Sequence, residues 1–186
     1  MIKKLSNWLQ LNSSGAIVIG SLMIMLLFTI TVLPGQAQSA LKNTGSEDSP
    51  DTSLVYTPTE LYQMAGAYGA EGRQAYIHAR WTFDLIFPLV YVAFLTAGIS
   101  WFIKTLPQKN EFWGLLNLTP IIGGIFDYLE NSAASVVMAI YPKLSFAAYL
   151  APLFTFIKWL LISLAFGIYI LYFIRFLFSR VSNRNT

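Results

Sequence analysis

The sequence predicts an all-α integral membrane protein: a four-transmembrane-helix bundle with two short amphipathic helices on its outer face. Three observations carry this prediction. Of 186 residues, 55% are hydrophobic and only 11% are charged, whereas a soluble domain carries about a quarter charged residues. The mean hydropathy is +0.56. The apolar residues are also gathered into four stretches, each meeting the length of roughly 20 residues that a spanning helix needs. Hydrocarbon offers the backbone no water, so each stretch has to be helical. The whole chain, 1–186, reads as one integral membrane domain.

The first span covers about 15–33 (GAIVIGSLMIMLLFTITVL) and holds no charge. It is expected to stop at Pro34-Gly35, a pair that terminates helices. Its apolar core exceeds the roughly 7–15 residues of a signal-peptide core, which favours a retained helix over a cleaved leader. Residues 35–55 follow, rich in Ser, Thr, Gly, Asn and Asp and without apolar periodicity, and they read as a flexible linker.

Residues 57–80 predict the two outer helices. Thr57-Pro58-Thr59-Glu60 supplies an N-cap, a proline at the first helical position and a carboxylate three residues past the cap, the pattern of a capping box. Leu61, Met64, Ala65 and Tyr68 continue at helical spacing, and Gly69 is a plausible end. A second amphipathic run, Ala70 to Arg80, leads into the next span. Tyr56, Tyr62, Tyr68, Tyr76 and Trp81 suit a membrane interface, where a ring keeps one edge in water. The pair of helices would cover the bundle mouth, either as a lid or as a fixed anchor. The spacing of Gly66, Gly69 and Gly72 lacks the strand–turn–helix setting of a phosphate loop and reads as turns or close packing.

The remaining spans cover about 82–103, 112–140 and 146–173. Pro88 and Pro120 are expected to kink their helices and free carbonyls near the polar residues. Lys and Arg near span ends set orientation. With the N-terminus inside, the inner flanks hold Lys3, Lys4, Lys104, Lys109, Arg175, Arg180 and Arg184, and the outer segments hold Lys42, Arg73, Arg80 and Lys143. That asymmetry places both termini in the cytoplasm of a multi-pass cell-membrane protein. The outer loop also holds the acids Glu47, Asp48, Asp51, Glu60 and Glu71.

Composition excludes much chemistry. With no cysteine and one histidine, the chain has no disulfides, thiolate metal sites, cysteine nucleophiles or paired-histidine zinc or haem sites. No metal and no cofactor is implied. The net charge of +3 reflects membrane flanks, and no basic stripe interleaved with aromatics points to nucleic acid. The expected partners are membrane lipid and a lipophilic small molecule, and a homo-oligomer or membrane-protein partner is left open. Asn12 and Asn117 sit in glycosylation triplets but fall on the inner side and within a span, so neither is an acceptor.

The most informative residues are the ionisable ones inside spans, each of which costs several kcal/mol to insert. They are Asp84, Asp127, Glu130 and Lys158. Asp127, Glu130 and Asn131 share one face at i, i+3 and i+4, and that face continues through Thr119, Gly123 and Ala134. Lys158 shares a face with Ala147, Ala151, Thr155 and Ile162, and Asp84 with Pro88, Tyr91, Leu95 and Gly98. Small and polar residues mark helix contacts in membranes, so the three faces should point inward. At a rise of about 1.5 Å per residue, Asp127 and Lys158 each lie about 16 Å below the outer surface. Lys158 should therefore pair with Asp127 or Glu130, and Asp84 with Arg80 and His78 on the outer face. Three acids facing one lysine suggest that one carboxyl lacks a partner.

Asp84, Tyr91, Asp127, Glu130, Asn131 and Lys158 are the candidate ligand-binding residues, with His78 and Arg80 at the outer face. The reading that follows is an accessory or small-lipophile-binding protein with a polar cluster open to the outer side. The alternatives are a membrane-embedded acid/base enzyme using Asp127 or Glu130 on a lipid-like substrate, a proton- or cation-coupled carrier, and a purely structural ion pair. The strings Tyr56-Thr-Pro-Thr-Glu60, Gly72-Arg73, Asp84 with Phe87-Pro88-Leu-Val-Tyr91, Asp127-Tyr-Leu-Glu130-Asn131 and Tyr141-Pro142 resemble a group of uncharacterised bacterial four-helix integral membrane proteins. The resemblance covers about 56–160 and implies a fold but no activity.

Overall fold

A computed structural model describes residues 1–46, 49–50, 52–106 and 111–182. Among these every regular element is helical: α1 (Ile2–Asn12), α2 (Gly15–Leu27), α3 (Leu33–Thr44), α4 (Pro58–Ala67), α5 (Gly69–Arg80), α6 (Phe83–Thr105), α7 (Glu111–Gly114), α8 (Thr119–Ile140) and α9 (Ala147–Ser182). Of the charged flanks read from the sequence, Glu47, Asp48, Asp51, Lys109 and Arg184 lie outside the described residues.

Four helical segments are long and apolar enough to cross a membrane: Gly15–Thr44, Gly69–Thr105, Phe112–Ile140 and Ala147–Val181. α8 and α9 form an antiparallel hairpin, α6 packs against both, and α2 lies along α6. The position of α6 is central: 61% of the second span's most apolar stretch is buried, against 6% of the first. Two apolar clusters hold the bundle. One joins α4 and α5 to α8 and α9 through Leu61, Ala65, Tyr76, Ala134, Val137 and Ala151. The other, toward the α1 end of the bundle, joins α6 to α9 through Phe94, Leu95, Ile99, Phe102, Ala165 and Tyr172.

Two proline-based boundaries differ from expectation. The first span does not stop at Pro34-Gly35, and the linker begins at Gly45 rather than Gly35. Over Phe28–Val32 the helix widens to i→i+5 bonding, with the Leu33 N–H on the Phe28 carbonyl. The widening makes room for the Pro34 ring, and Pro34 then falls in the first turn of α3, where no N–H is needed. α3 ends at Gly45, whose left-handed φ of 66° and N–H bond to the Leu41 carbonyl close the last turn. Pro120 likewise starts α8 instead of kinking it. It cannot donate to Leu116, so the Thr119 N–H takes that carbonyl through a tighter turn over Leu115–Leu118.

α1 was not anticipated. Its C-terminal carbonyls at Leu11 and Ser13 accept from Lys104 Nζ at 3.1 and 3.3 Å, a cation at the negative end of a helix. Ser14 then caps α2, its Oγ accepting from the Ile17 N–H at 3.3 Å. Trp8, Leu5 and Leu11 are exposed while Ser6 faces the bundle, as expected of a helix lying in the interface. At the other end of the chain, α9 runs 36 residues, about 54 Å, which exceeds the hydrocarbon thickness.

Candidate functional site

The three inward faces converge as their spacing requires. Asp127, Glu130 and Asn131 on α8 meet Lys158 on α9 and Tyr91 on α6. Lys158 Nζ forms an ion pair with Glu130 Oε2 and lies 3.6 Å from Asp127 Oδ1. The Tyr91 hydroxyl donates to Asp127 Oδ2 at 2.6 Å, the short geometry of a charge-assisted bond. Glu130 is fully buried, and Asp127 keeps 13% of its side-chain surface. The pairing of Lys158 is thus with both carboxylates, and one polar layer ties together the three spans that form the core.

Asp84, in the first turn of α6, pairs with Arg80 at 2.9 Å, four residues earlier. The Arg80 guanidinium also lies over the Tyr76 ring, 4.6 Å from its centroid, a cation–π contact. The expected unpaired carboxyl is not found: Arg80 answers Asp84, and Lys158 answers both acids of α8. His78 does not join the site. Its side chain is exposed, and only its carbonyl is used, accepting from Thr82 Oγ1 at 2.7 Å. Near Pro88, inside α6, the Leu85 carbonyl accepts from the Tyr128 hydroxyl at 2.7 Å, as expected where a proline loosens the ladder.

The α4–α5 hairpin covers this site at the end of the bundle that carries the α8–α9 loop. Thr57 and Glu60 close the capping box. The Thr57 N–H donates to Glu60 Oε2 at 2.7 Å and the Glu60 N–H to Thr57 Oγ1 at 3.2 Å. The Thr57 backbone N–H, and then its hydroxyl, hold the Glu60 carboxyl below its ordinary value. The Tyr62 hydroxyl donates to the Lys143 carbonyl at 3.1 Å and accepts from the Ser145 N–H at 2.8 Å, fixing α4 to the α8–α9 loop. Gly69 makes the turn between α4 and α5 at φ 63°, and a Cβ on Gly66 would lie 2.9 Å from the Tyr141 hydroxyl. These two glycines are therefore turn and packing positions.

Tyr56, Tyr68 and Tyr76 are buried rather than interfacial, because the hairpin sinks onto α8 and α9 instead of lying flat. The Tyr56 hydroxyl sits 3.2 Å from Thr155 Oγ1, one turn from Lys158. Trp81 alone among the five aromatic residues is widely exposed.

Two features go beyond the sequence reading, which named Asn131 but not Ser135 or a network around Asn117. Asn131 and Ser135 are 3% and 7% exposed, yet neither end of the Asn131 amide, nor the Ser135 hydroxyl, has a hydrogen-bond partner. Ser135 extends the i, i+4 spacing of Asp127 and Asn131 by one more turn, and that spacing carried the signal. The other feature lies at the opposite end of the bundle, beside α1. Ser6 Oγ lies 2.7 Å from the Gly114 carbonyl and 2.8 Å from Asn117 Oδ1. Asn117 Nδ2 donates to the Ser6 carbonyl at 3.1 Å and to Ser100 Oγ at 2.9 Å. Gln10 Nε2 adds a bond to the Gly114 carbonyl at 2.9 Å.

Among the described residues no group of His, Cys, Asp and Glu could hold a metal ion. The geometry therefore defines a multi-pass helical membrane protein with a compensated charge cluster inside its bundle. No protein family, curated protein or solved structure matches the chain.

Proposed function

We propose that this protein is a non-enzymatic accessory component of the cell membrane that holds a small lipophilic molecule at the polar cluster, approached from the outer side. The observation that carries the reading is position. Charged groups from two spans and the Tyr91 hydroxyl from a third meet at one level, beneath a hairpin preceded by Tyr56, which reaches within a turn of Lys158. Polar and ionisable residues held inside a membrane mark binding paths by default. The engagement of Asp127 and Glu130 by Lys158 and Tyr91 favours binding over acid/base catalysis, which needs a carboxyl free to exchange its proton with substrate. The seven inner cations against four outer ones support cytoplasmic termini. The location of α1 beside Gly114, at the end where α9 finishes, fits the same orientation. The motif resemblance to the bacterial four-helix group belongs to this proposal.

Native mass spectrometry of protein extracted in mild detergent tests it. Wild type should carry a retained lipophile, and a folded Asp127→Asn/Lys158→Met double variant should lose it. Wild type that emerges bare from every extraction would refute the proposal, and so would a double variant that keeps the lipophile.

A further inference from the structure

We propose that Asn131 and Ser135 form the head-group subsite of this binding site and select an uncharged amphiphile whose head both donates and accepts a hydrogen bond, an amide or an alcohol. The inference rests on the lipophile-binding reading and narrows it. Its starting point is the amide of Asn131, which is 97% buried with both ends unbonded, next to a Ser135 hydroxyl in the same condition one turn outward. Native proteins pair nearly all such groups, so a buried amide left open on both sides calls for an occupant.

Register places the subsite. α6 and α8 are antiparallel and tied by the Tyr91–Asp127 bond. Asp84 lies about 10 Å outward of Tyr91, while Asn131 and Ser135 lie about 6 and 12 Å outward of Asp127. The open amide therefore sits between the level of Lys158 and the level of the Arg80–Asp84 pair, and the open hydroxyl lies level with that pair. Asn131 is also about 13 Å short of the end of α8 at Ile140, within hydrocarbon depth. A ligand there, entering from the outer side, has to reach into hydrocarbon depth and must carry an apolar part.

Charge decides the head group. Arg80 is paired with Asp84, and Lys158 with Asp127 and Glu130, so a charged head would have to break an existing pair to gain a counter-ion. What stays open is neutral: an N–H donor, a carbonyl acceptor and a hydroxyl. The complement is a head that offers one acceptor and one donor. An isostere lacking them leaves the site's groups buried and unbonded, which is how such sites discriminate.

The test uses the full-length protein in nanodiscs and four probes of one chain length: oleamide, oleyl alcohol, oleate and oleylamine. Wild type should bind the first two at least tenfold more tightly than the charged pair. Asn131→Leu should weaken oleamide at least tenfold, and Ser135→Ala by a smaller factor. Thr96→Val, a buried hydroxyl on α6, should leave binding unchanged. Equal or tighter binding of oleate or oleylamine overturns the neutral-head assignment and leaves lipophile binding standing. Asn131→Leu and Ser135→Ala that both bind like wild type overturn the subsite, again without touching the broader reading. Wild type that retains none of the four brings both down together. Density at Asn131 assignable to water alone in oleamide-saturated protein also overturns the subsite.

Discussion

Asn117 and Asn131 flank the same stretch of chain, are both buried, and end up in opposite conditions. Asn117 is fully buried and bonded at both ends of its amide, to Ser6 and Ser100. Asn131 is nearly as buried and bonded at neither end. The first belongs to a neutral network that joins three segments distant in sequence, and its polar groups are used up by the fold. The second lies beside a charged layer whose ions answer one another and leave the amide over. A buried polar residue in a membrane bundle is therefore not by itself a sign of function. The saturated network is architecture, and the unsaturated one has capacity to spare.

The largest effect should come from the charged layer, which the comparison treats as self-contained. Lys158→Met leaves two carboxylates facing each other in a low-dielectric interior and should cost about 3–5 kcal/mol. It would be read as loss of monodisperse protein or a lower midpoint in denaturant. The triple variant Lys158→Met/Asp127→Asn/Glu130→Gln should recover much of that loss, because removing a whole buried ion group is often near neutral. If the single variant is as stable as wild type, the ions are solvated and the layer is open to water.

Next comes the direct contrast between the asparagines. Asn117→Leu strands Ser6 and Ser100 and should destabilise by about 1–3 kcal/mol. Asn131→Leu removes an amide that has no partner to strand, and without ligand it should be neutral or stabilising. Parallel thermal unfolding in one detergent measures both. Equal losses at the two positions would abolish the distinction drawn above. A smaller version of the same contrast is Ser6→Ala, which should cost about 1 kcal/mol and raise amide exchange throughout α1 while leaving α8 protected.

Much of this arrangement was legible in the sequence, for identifiable reasons. The spans were visible because bilayer thickness imposes a length on apolar runs. The meeting of Asp127, Glu130 and Lys158 followed from helical spacing plus equal depth in an antiparallel pair. The Arg80–Asp84 pair followed from its i, i+4 spacing. What stayed hidden depended on distant partners or local backbone adjustments. Ser6 and Asn117 are 111 residues apart, so nothing near either one announces the bond. The continuation of the first span past Pro34 depends on a widened turn that composition does not encode. The buried tyrosines of the hairpin were misplaced because an aromatic residue fits an interface and a core equally well. Ser135 could have been found, since it extends the Asp127–Asn131 spacing by one more turn.

Each asparagine also lies under a short helical cover, and the covers differ as the asparagines do. α1 is held over Asn117 by a buried hydrogen-bond network, whereas α4 and α5 lie against α8 mainly through apolar contacts, with the Tyr62 hydroxyl tying α4 to the α8–α9 loop and the Thr57–Glu60 box starting it. The box makes the α4–α5 cover sensitive to acid. Because Thr57 holds the Glu60 carboxyl below its ordinary value of 4.5, the ionised form is the one the fold favours. Its contribution is complete above that value and is lost as pH falls through the lower folded value. The Thr57 and Glu60 amide resonances should therefore shift together in a titration whose midpoint lies below 4.5, and Glu60→Gln should abolish the shift. The effect on global stability should be the smallest of the series, since the pair is solvent-exposed. A midpoint at or above the ordinary carboxyl value would mean that the box does not form. The start of the α4–α5 cover would then lack its reciprocal cap, and the contrast with the hydrogen-bonded α1 cover would widen.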